Sequence, residues 1–319
     1  MPEIAIGVPV RNGERYLGEA LEAIRAQTFA DFECLVSDNG SDDRSGEIAR
    51  AICRRDPRFR YVRHERNAGA ASNFNFTVRN TTAPLFRWAC HDDLMRPTCL
   101  EACRDALEAA PHETVLAFTG TVLVDGEGRE LGPYRAATRR GGATPSSRLD
   151  ALIGPGDFTR SLAHMCFPVC GLVRRSALAR TSLIANMPRS DTLLLVELAL
   201  LGPWAEVEED LFLRRHHDGG SVIAAEKAAS GPERERLLAA WYDPSRGARF
   251  PATITRLGIG FLRAVARTPM PPAEKVRCAA IASNWMARNG RRIGGEMKIV
   301  LSERLGRPHG GRPAANRST

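Results

Sequence analysis

Residues able to do chemistry gather in a few short stretches of this 319-residue chain. Pro9-Val10-Arg11-Asn12 follows one apolar run, Asp38-Asn39 a second and His91-Asp92-Asp93 a later one. Paired carboxylates such as Asp92 and Asp93 can hold a hard cation, which takes oxygen ligands, or can simply serve a solvated turn or a helix cap. Asp38-Asn39 can likewise form an Asx turn ahead of a helix. Cys99/Cys103 and Cys166/Cys170 have i,i+4 spacing. Zinc sites show tighter pairs with a second half-site, and Pro168 interrupts the second pair, so the cysteines are read as free thiols.

These clusters need elements to hold them. Ile4 to Pro9 is a short apolar run closed by proline, which predicts a buried strand. Leu17, Ala20, Leu21 and Ile24 then follow helical spacing. Phe32 to Val36 predicts a second strand, and the turn chemistry of Ser37 to Asp43 leads into a helix with Ser41 or Asp42 as its cap. A third strand is expected at Arg60–Arg63, a helix around Asn73–Val78 and a further strand at Leu85–Ala89. Strands alternating with helices predict an α/β fold with a largely parallel sheet. Ligands of such sheets bind beyond the carboxyl ends of the strands, where all three polar clusters fall, so independent segments should meet in one crevice. No G-x-G-x-x-G follows the first strand and no G-x-x-x-x-G-K-[ST] occurs, which removes the usual phosphate cradles of a dinucleotide dehydrogenase and a P-loop enzyme.

Beyond residue 110 the pattern is less regular. Val115–Thr119 and Thr121–Asp125 read as separate apolar segments, and the Gly/Pro/Arg-rich stretch Gly132–Pro155 as a mobile loop. Leu193–Leu201 predicts a buried helix; Leu257–Val265 and Ile281–Leu305 predict helices with arginines on exposed faces. Trp88, Trp204 and His164 are read as interior residues.

A composition of 43% hydrophobic and 26% charged residues excludes a disordered, collagen-like or disulfide-stapled chain. No apolar run reaches the ~18 residues of a membrane span, and the N-terminus lacks a signal-peptide layout, so a cytoplasmic protein is expected. The net charge of +8 is uneven: Arg246–Thr319 holds 15 Lys+Arg against 3 Asp+Glu, the remainder 30 against 34. This basic segment suits an anionic membrane surface or a polyphosphate-bearing acceptor, or is a solvated helical face. It lacks a stacking series of aromatics and any zinc-finger spacing, so no specific nucleic acid is expected.

Read in order, five stretches resemble one family: Ile6-Gly7-Val8-Pro9-Val10-Arg11-Asn12-Gly13, Gln27-Thr28-Phe29-Ala30-Asp31-Phe32-Glu33, Ser37-Asp38-Asn39-Gly40-Ser41-Asp42-Asp43, Asn67-Ala68-Gly69 with Asn73, and Trp88-Ala89-Cys90-His91-Asp92-Asp93 followed by Pro97. The chain resembles the family-2 inverting glycosyltransferases of the nucleotide-diphospho-sugar (GT-A) fold. The resemblance implies an α/β GT-A domain over 1–222, with a mostly parallel central sheet flanked by helices. A basic helical C-terminal extension over 223–306 and a disordered tail over 307–319 would follow.

The resemblance also assigns roles. The donor would be a nucleotide-diphospho-sugar, with a UDP-sugar favoured, and a divalent cation, Mg²⁺ or Mn²⁺, would offset charge on the leaving diphosphate. Pro9, Val10, Arg11, Asn12, Asp38, Asn39, Asn67, Gly69, Asn73, His91, Asp92 and Arg215 are the expected donor-binding residues, and Asp92, Asp93 and His217 the expected metal ligands. Asp191, in Ser190-Asp191-Thr192, matches the family's base, which takes a proton from the acceptor hydroxyl; a capping acid at a helix start is the other reading. Two positions depart from the family pattern. Cys90 stands where the first acid of the D-x-D motif is usual, and Asn39 where the second base-contacting residue is usually acidic.

The acceptor would offer a hydroxyl on a glycan, a lipid-linked glycan or a natural product, with peripheral membrane contact through the basic C-terminal helices. A sugar-nucleotide pyrophosphorylase shares the broad fold but usually carries a Gly-rich basic stretch after the first strand, for which Arg11-Asn12-Gly13 is a poor substitute. A non-catalytic sugar-nucleotide-binding protein and a nucleic-acid-binding protein are the remaining alternatives.

Overall fold

Ile4–Val10 is buried along its whole length, without the alternation of a half-exposed strand, because both of its faces are covered. In the computed structural model this strand, β1, pairs in parallel with β2 (Phe32–Asp38) on one side and β4 (Leu85–Trp88) on the other, and β3 (Phe59–Arg63) continues in parallel beyond β2. The structure describes residues 1–134, 142–155, 167–220, 225, 227–247 and 249–305. Helices α1 (Leu17–Arg25), α2 (Ser45–Arg55) and α3 (Ala70–Arg79) make the crossovers. The period of two sorts β1 between two cores. Ile4, Ile6, Val8 and Val10 pack with Leu17, Leu21 and Ile24 of α1, while Ala5 joins Ala71 and Val78 of α3 on the other face.

The sheet continues through β5 (Leu94–Met95), β6 (Leu116–Val124), β7 (Glu130–Tyr134), β8 (Leu172–Arg174) and β9 (Trp204–Arg215), in the order β3-β2-β1-β4-β8-β6-β9-β5, with β7 paired to β6. Among the described residues β1 to β4, β6 and β9 run one way, so the sheet is mixed but mostly parallel. Val115–Thr119 and Thr121–Asp125, expected as two segments, form the single strand β6. The break expected between them is a register shift against β9 at Gly120, where Asp210 crowds the position a Cβ would take.

Helices α4 (Cys99–Ala109), α5 (Pro145–Ile153), α6 (Arg175–Leu178) and α7 (Ser190–Leu201) complete the part of the molecule before β9. The mobile loop expected at Gly132–Pro155 is corrected in its described part: Tyr134 ends β7, and α5 begins at Pro145 with the Thr144 hydroxyl accepting from the Ser147 amide at 3.2 Å. That cap and the apolar residues Leu149, Leu152 and Ile153 outweigh the loop-like composition. Helix α7 is buried all round: Leu194, Leu195 and Leu198 face one core, and Leu193, Val196 and Leu200 face another.

After β9 come the C-terminal helices α8 (Gly231–Tyr242), α9 (Thr253–Arg267), α10 (Pro272–Arg288) and α11 (Gly290–Arg304), and that last core also takes residues from two of them, α9 and α10. Leu257, Phe261 and Ala264 of α9 and Cys278 and Ala282 of α10 pack with Leu149, Leu193 and Val196, so these helices share a core with the sheet domain. The single helix expected over Ile281–Leu305 is two, broken at Asn289-Gly290, where Gly has the weaker helix propensity. No described helix is long and apolar enough to cross a membrane. Trp88 is buried and Trp204 half-buried against two cores, as expected; His164, Cys166 and the tail 307–319 lie outside the described residues.

Candidate active site

The register brings the expected clusters to one edge of the sheet. Val10 at the end of β1 pairs with Asp38 at the end of β2, Gly7 pairs with Trp88 at the end of β4, and Val124 at the end of β6 pairs with Arg215 at the end of β9. The loops are then stitched together. The Asn12 and Gly13 amides donate to the hydroxyls of Ser41 at 3.0 Å and Ser45 at 2.8 Å, and the Asn12 side-chain oxygen accepts from the Asp42 amide at 3.1 Å. Asn12 has φ of 53°, the left-handed region that Asn tolerates better than most residues. Gly13 packs against His91, whose ring carbon would lie 2.5 Å from an added Cβ. Pro9 and Val10 are buried in the strand, and Arg11 is exposed at its mouth.

Asp38 is fully buried. One oxygen accepts from the Ser41 amide at 2.8 Å and the other from the Tyr61 hydroxyl at 2.6 Å, with Arg63 3.8 Å away. Burial and the Asp38 carboxylate push the Tyr61 phenol up to about 12. The Asn39 amide group donates to the Asn67 oxygen at 2.8 Å, and its own oxygen accepts from the Ala68 amide at 2.9 Å. The Asn67 oxygen also accepts from the Gly69 amide at 2.9 Å. Gly69 has φ of +87° and lies under the Tyr242 carbonyl at the end of α8, which leaves no room for a side chain. Asn73 is buried between the strand ends: it donates to the carbonyls of Val10 at 3.3 Å and Ser37 at 3.0 Å and accepts from the Ser37 hydroxyl at 2.6 Å.

Asp92 and Asp93 point in different directions. Asp92 Oδ2 lies 3.0 Å from His217 Nε2, and its Oδ1 is 3.8 Å from Arg214. Burial opposes ionisation of Asp92, but the His217 hydrogen bond and the charges of His91 and Arg214 outweigh it and hold the carboxyl well below the usual range. Asp93 Oδ1 accepts from Arg214 at 2.8 Å and from the Arg215 amide at 3.0 Å. Its Oδ2 is buried without a hydrogen-bond partner among the described residues, and burial with the Asp92 charge pushes this carboxyl up. The single turn Phe167–Cys170 packs against β4, β6 and α7, and it brings the Cys170 sulfur, the Cys90 sulfur and a carboxylate oxygen of Asp93 within 4.8 Å of one another.

Adjacent residues of a strand face opposite sides, and Arg214 and Arg215 divide accordingly. Arg215 is buried. It donates to the Asp92 carbonyl at 3.0 Å, to the carbonyls of Asp125 at 3.3 Å and Gly126 at 3.2 Å, and to Glu19 at 2.6 Å. Arg214 is one-third exposed and is the guanidinium beside both aspartates. Sequence reasoning gives no site role to Arg214, Glu19 or Tyr61 and reads Cys170 only as a free thiol; the two-residue period shows that Arg214 and Arg215 differ in facing, but not which one turns inward. The ring of His217 meets Tyr16 edge-on with centroids 4.6 Å apart. Of the three residues expected to hold a cation, Asp92 and His217 therefore touch, and Asp93 is bound to Arg214 and Arg215. A carboxylate with an imidazole is a donor set that suits Mg²⁺ or Mn²⁺.

Asp191 occupies the first turn of α7, half-buried, and its Oδ1 accepts from the Thr192 amide at 2.8 Å. The two-residue link Gly202-Pro203 sets the end of α7 beside the start of β9.

The family model for glycosyl transferase family 2 matches residues 5–181. Among curated proteins, an uncharacterised glycosyltransferase of Rickettsia bellii is 33% identical over 130 residues, 41% of this chain and 19% of that protein. Glycosyltransferase GlyG of Streptococcus pneumoniae is 29% identical over 113 residues, 35% of this chain and 38% of GlyG. The alignments with the first three curated relatives span only 19% to 26% of those proteins' lengths. Among solved structures, residues 1–349 of S. aureus TarS in complex with UDP superpose with a TM-score of 0.54 at 14% identity, over 97% of this chain and 93% of that one. That likeness is one of fold, and it agrees with the GT-A architecture expected from the sequence.

Proposed function

Because the chain belongs to glycosyl transferase family 2, we propose that it moves a sugar from a nucleotide-diphospho-sugar to an acceptor hydroxyl with inversion, in one direct displacement. The observation that carries this reading is the contact of His217 with Asp92, which pairs an oxygen and a nitrogen ligand at the edge where the strand ends meet. A divalent cation held there, Mg²⁺ or Mn²⁺, would offset the charge of the diphosphate as it leaves. Arg214, one-third exposed beside Asp92, adds a second positive group on the same side. Asp93 and Arg215 fix the loop from behind.

The turns at Arg11-Asn12, Asp38-Asn39 and Asn67 to Gly69 would form the nucleotide side of the crevice. A UDP-sugar is the favoured donor; the like-folded TarS was solved with UDP and with UDP-GlcNAc. Asp191 takes the acceptor's proton in this reading. Its support is topological: α7 ends beside the start of β9, whose other end carries Arg215, and a helix running back antiparallel to β9 would begin toward the edge that holds Asp92. The acceptor is a hydroxyl on a glycan, a lipid-linked glycan or a natural product, reached from the cytoplasmic side with peripheral membrane contact through the basic C-terminal helices.

A thermal-shift series with UDP-, GDP- and dTDP-sugars, with and without Mn²⁺, tests the donor half. One sugar nucleotide should raise Tm with its concentration, and only with the cation present. Binding indifferent to chelator would overturn the metal assignment. Release of pyrophosphate from a nucleoside triphosphate and a sugar phosphate would assign the chain to pyrophosphorylase chemistry instead.

A further inference from the structure

Of the nine large apolar side chains that stand exposed among the described residues, seven lie between Leu237 and Leu305, and five of these fall in the basic segment that begins at Arg246. Three of them form one stripe. Met297 and Leu301 of α11 and Leu305 at its C-cap follow one another at i, i+4 and i+8 and are 39%, 51% and 66% exposed. At 100° per residue, Arg291 and Lys298 flank that stripe on one side and Arg304 on the other, all exposed.

The acids of α11 are turned the other way. Glu296 is buried and accepts from the amides of Ile254 and Thr255 at 2.8 Å, the first turn of α9. Glu303 accepts from Arg236 of α8 at 2.7 Å and from the Phe250 amide at 3.1 Å. These are the only acidic residues of α11, so the outward face presents apolar groups and cations alone. The Arg236 contact also sets α8 beside α11, and α8 exposes Leu237 and Trp241.

We propose that the outward face of α11 docks on an anionic lipid bilayer, with Met297, Leu301 and Leu305 entering the headgroup boundary and Arg291, Lys298 and Arg304 meeting lipid phosphates. An apolar stripe edged by cations on a helix lying along a surface is the arrangement that such an interface rewards. A nucleic acid offers the stripe no apolar counterpart, and a second copy would set like charges face to face. The inference gives the membrane contact of the reading above its surface, and it rests on that contact rather than on the donor chemistry.

The test is co-sedimentation of the full chain with phosphatidylcholine vesicles and with vesicles that also contain phosphatidylglycerol. Binding should require the anionic lipid, weaken with salt, and fall about tenfold or more in Met297→Glu/Leu301→Glu and in Arg291→Glu/Lys298→Glu. All four positions are exposed, and retained donor-dependent thermal shifts would show the variants folded. A Met297→Cys chain carrying an environment-sensitive dye gives a second readout, with a blue shift on anionic vesicles. No binding to anionic vesicles, binding unchanged in the Met297→Glu/Leu301→Glu chain, a dimer that this variant dissociates, or binding confined to DNA would each overturn the proposal. Donor binding in the same samples reports on the glycosyltransfer reading separately.

Discussion

His217 Nε2 meets Asp92 Oδ2 at 3.0 Å across 125 residues of chain, and the strand that delivers His217 also delivers the Arg215 guanidinium to the Asp92 carbonyl. One segment therefore sets both the backbone and the carboxylate of the residue proposed to bind the cation. Asp92→Asn keeps the size but removes the charge, and His217→Ala removes the nitrogen ligand. Each should lower transfer by about two orders of magnitude or more, since electrostatic stabilisation of the leaving group is a large catalytic contribution. Each should also abolish the Mn²⁺-dependent part of the donor-induced Tm shift. A Mn²⁺ response of Asp92→Asn equal to that of the natural chain would refute the assignment.

The two neighbouring arginines should separate stability from function. Arg215→Ala leaves three carbonyl groups and Glu19 without their buried donor. About 2 to 4 kcal/mol of stability should be lost, read as a lower urea midpoint. Arg214→Ala takes a guanidinium from buried Asp93 but leaves it the Arg215 amide, so it should lower the midpoint less than Arg215→Ala does while weakening donor binding more.

Asp191→Asn should leave donor binding unchanged and lower transfer about 10²- to 10⁴-fold, the usual contribution of a general base. If Asp191 only caps α7, turnover with a verified acceptor will stay near that of the natural chain, since Asn caps about as well as Asp.

Asn73 joins the ends of β1 and β2 through three buried hydrogen bonds. Asn73→Ala should cost about 2 to 3 kcal/mol by leaving buried partners unsatisfied. Because the nucleotide-side turns leave from those two strand ends, donor affinity should fall in the same variant, measured by titration calorimetry.

Gly69→Ala should destabilise by about 1 to 3 kcal/mol, because the position combines a positive φ with the Tyr242 carbonyl overhead. A Tm equal to that of the natural chain would show that α8 moves aside without cost.

Much of the first half was legible because its signals are local. The buried run Ile4–Val10, the amphipathic spacing of Leu17 to Ile24 and the turn residues after Val10, Asp38 and Trp88 each act over a few positions, and the parallel sheet follows from their alternation. Strand β9 was not foreseen. Glu206, Glu208, Glu209 and Asp210 lower its β-propensity, and the strand exists because β6 pairs with it along its length. Helix α5 hid within a Gly- and Pro-rich stretch, since its capping contact and its buried face outweigh composition.

The sequence by itself determined the family, the order of strands and helices as far as β4, and most of the polar residues that reach one edge of the sheet. Only the tertiary structure decided how they divide the work: His217 to Asp92, Asp93 to Arg214, Arg215 inward as a clamp, and both acids of α11 turned to the protein. Periodicity reports which residues share a face and which do not. Which face is buried, and what it meets, depends on packing between segments more than a hundred residues apart, where no local preference acts.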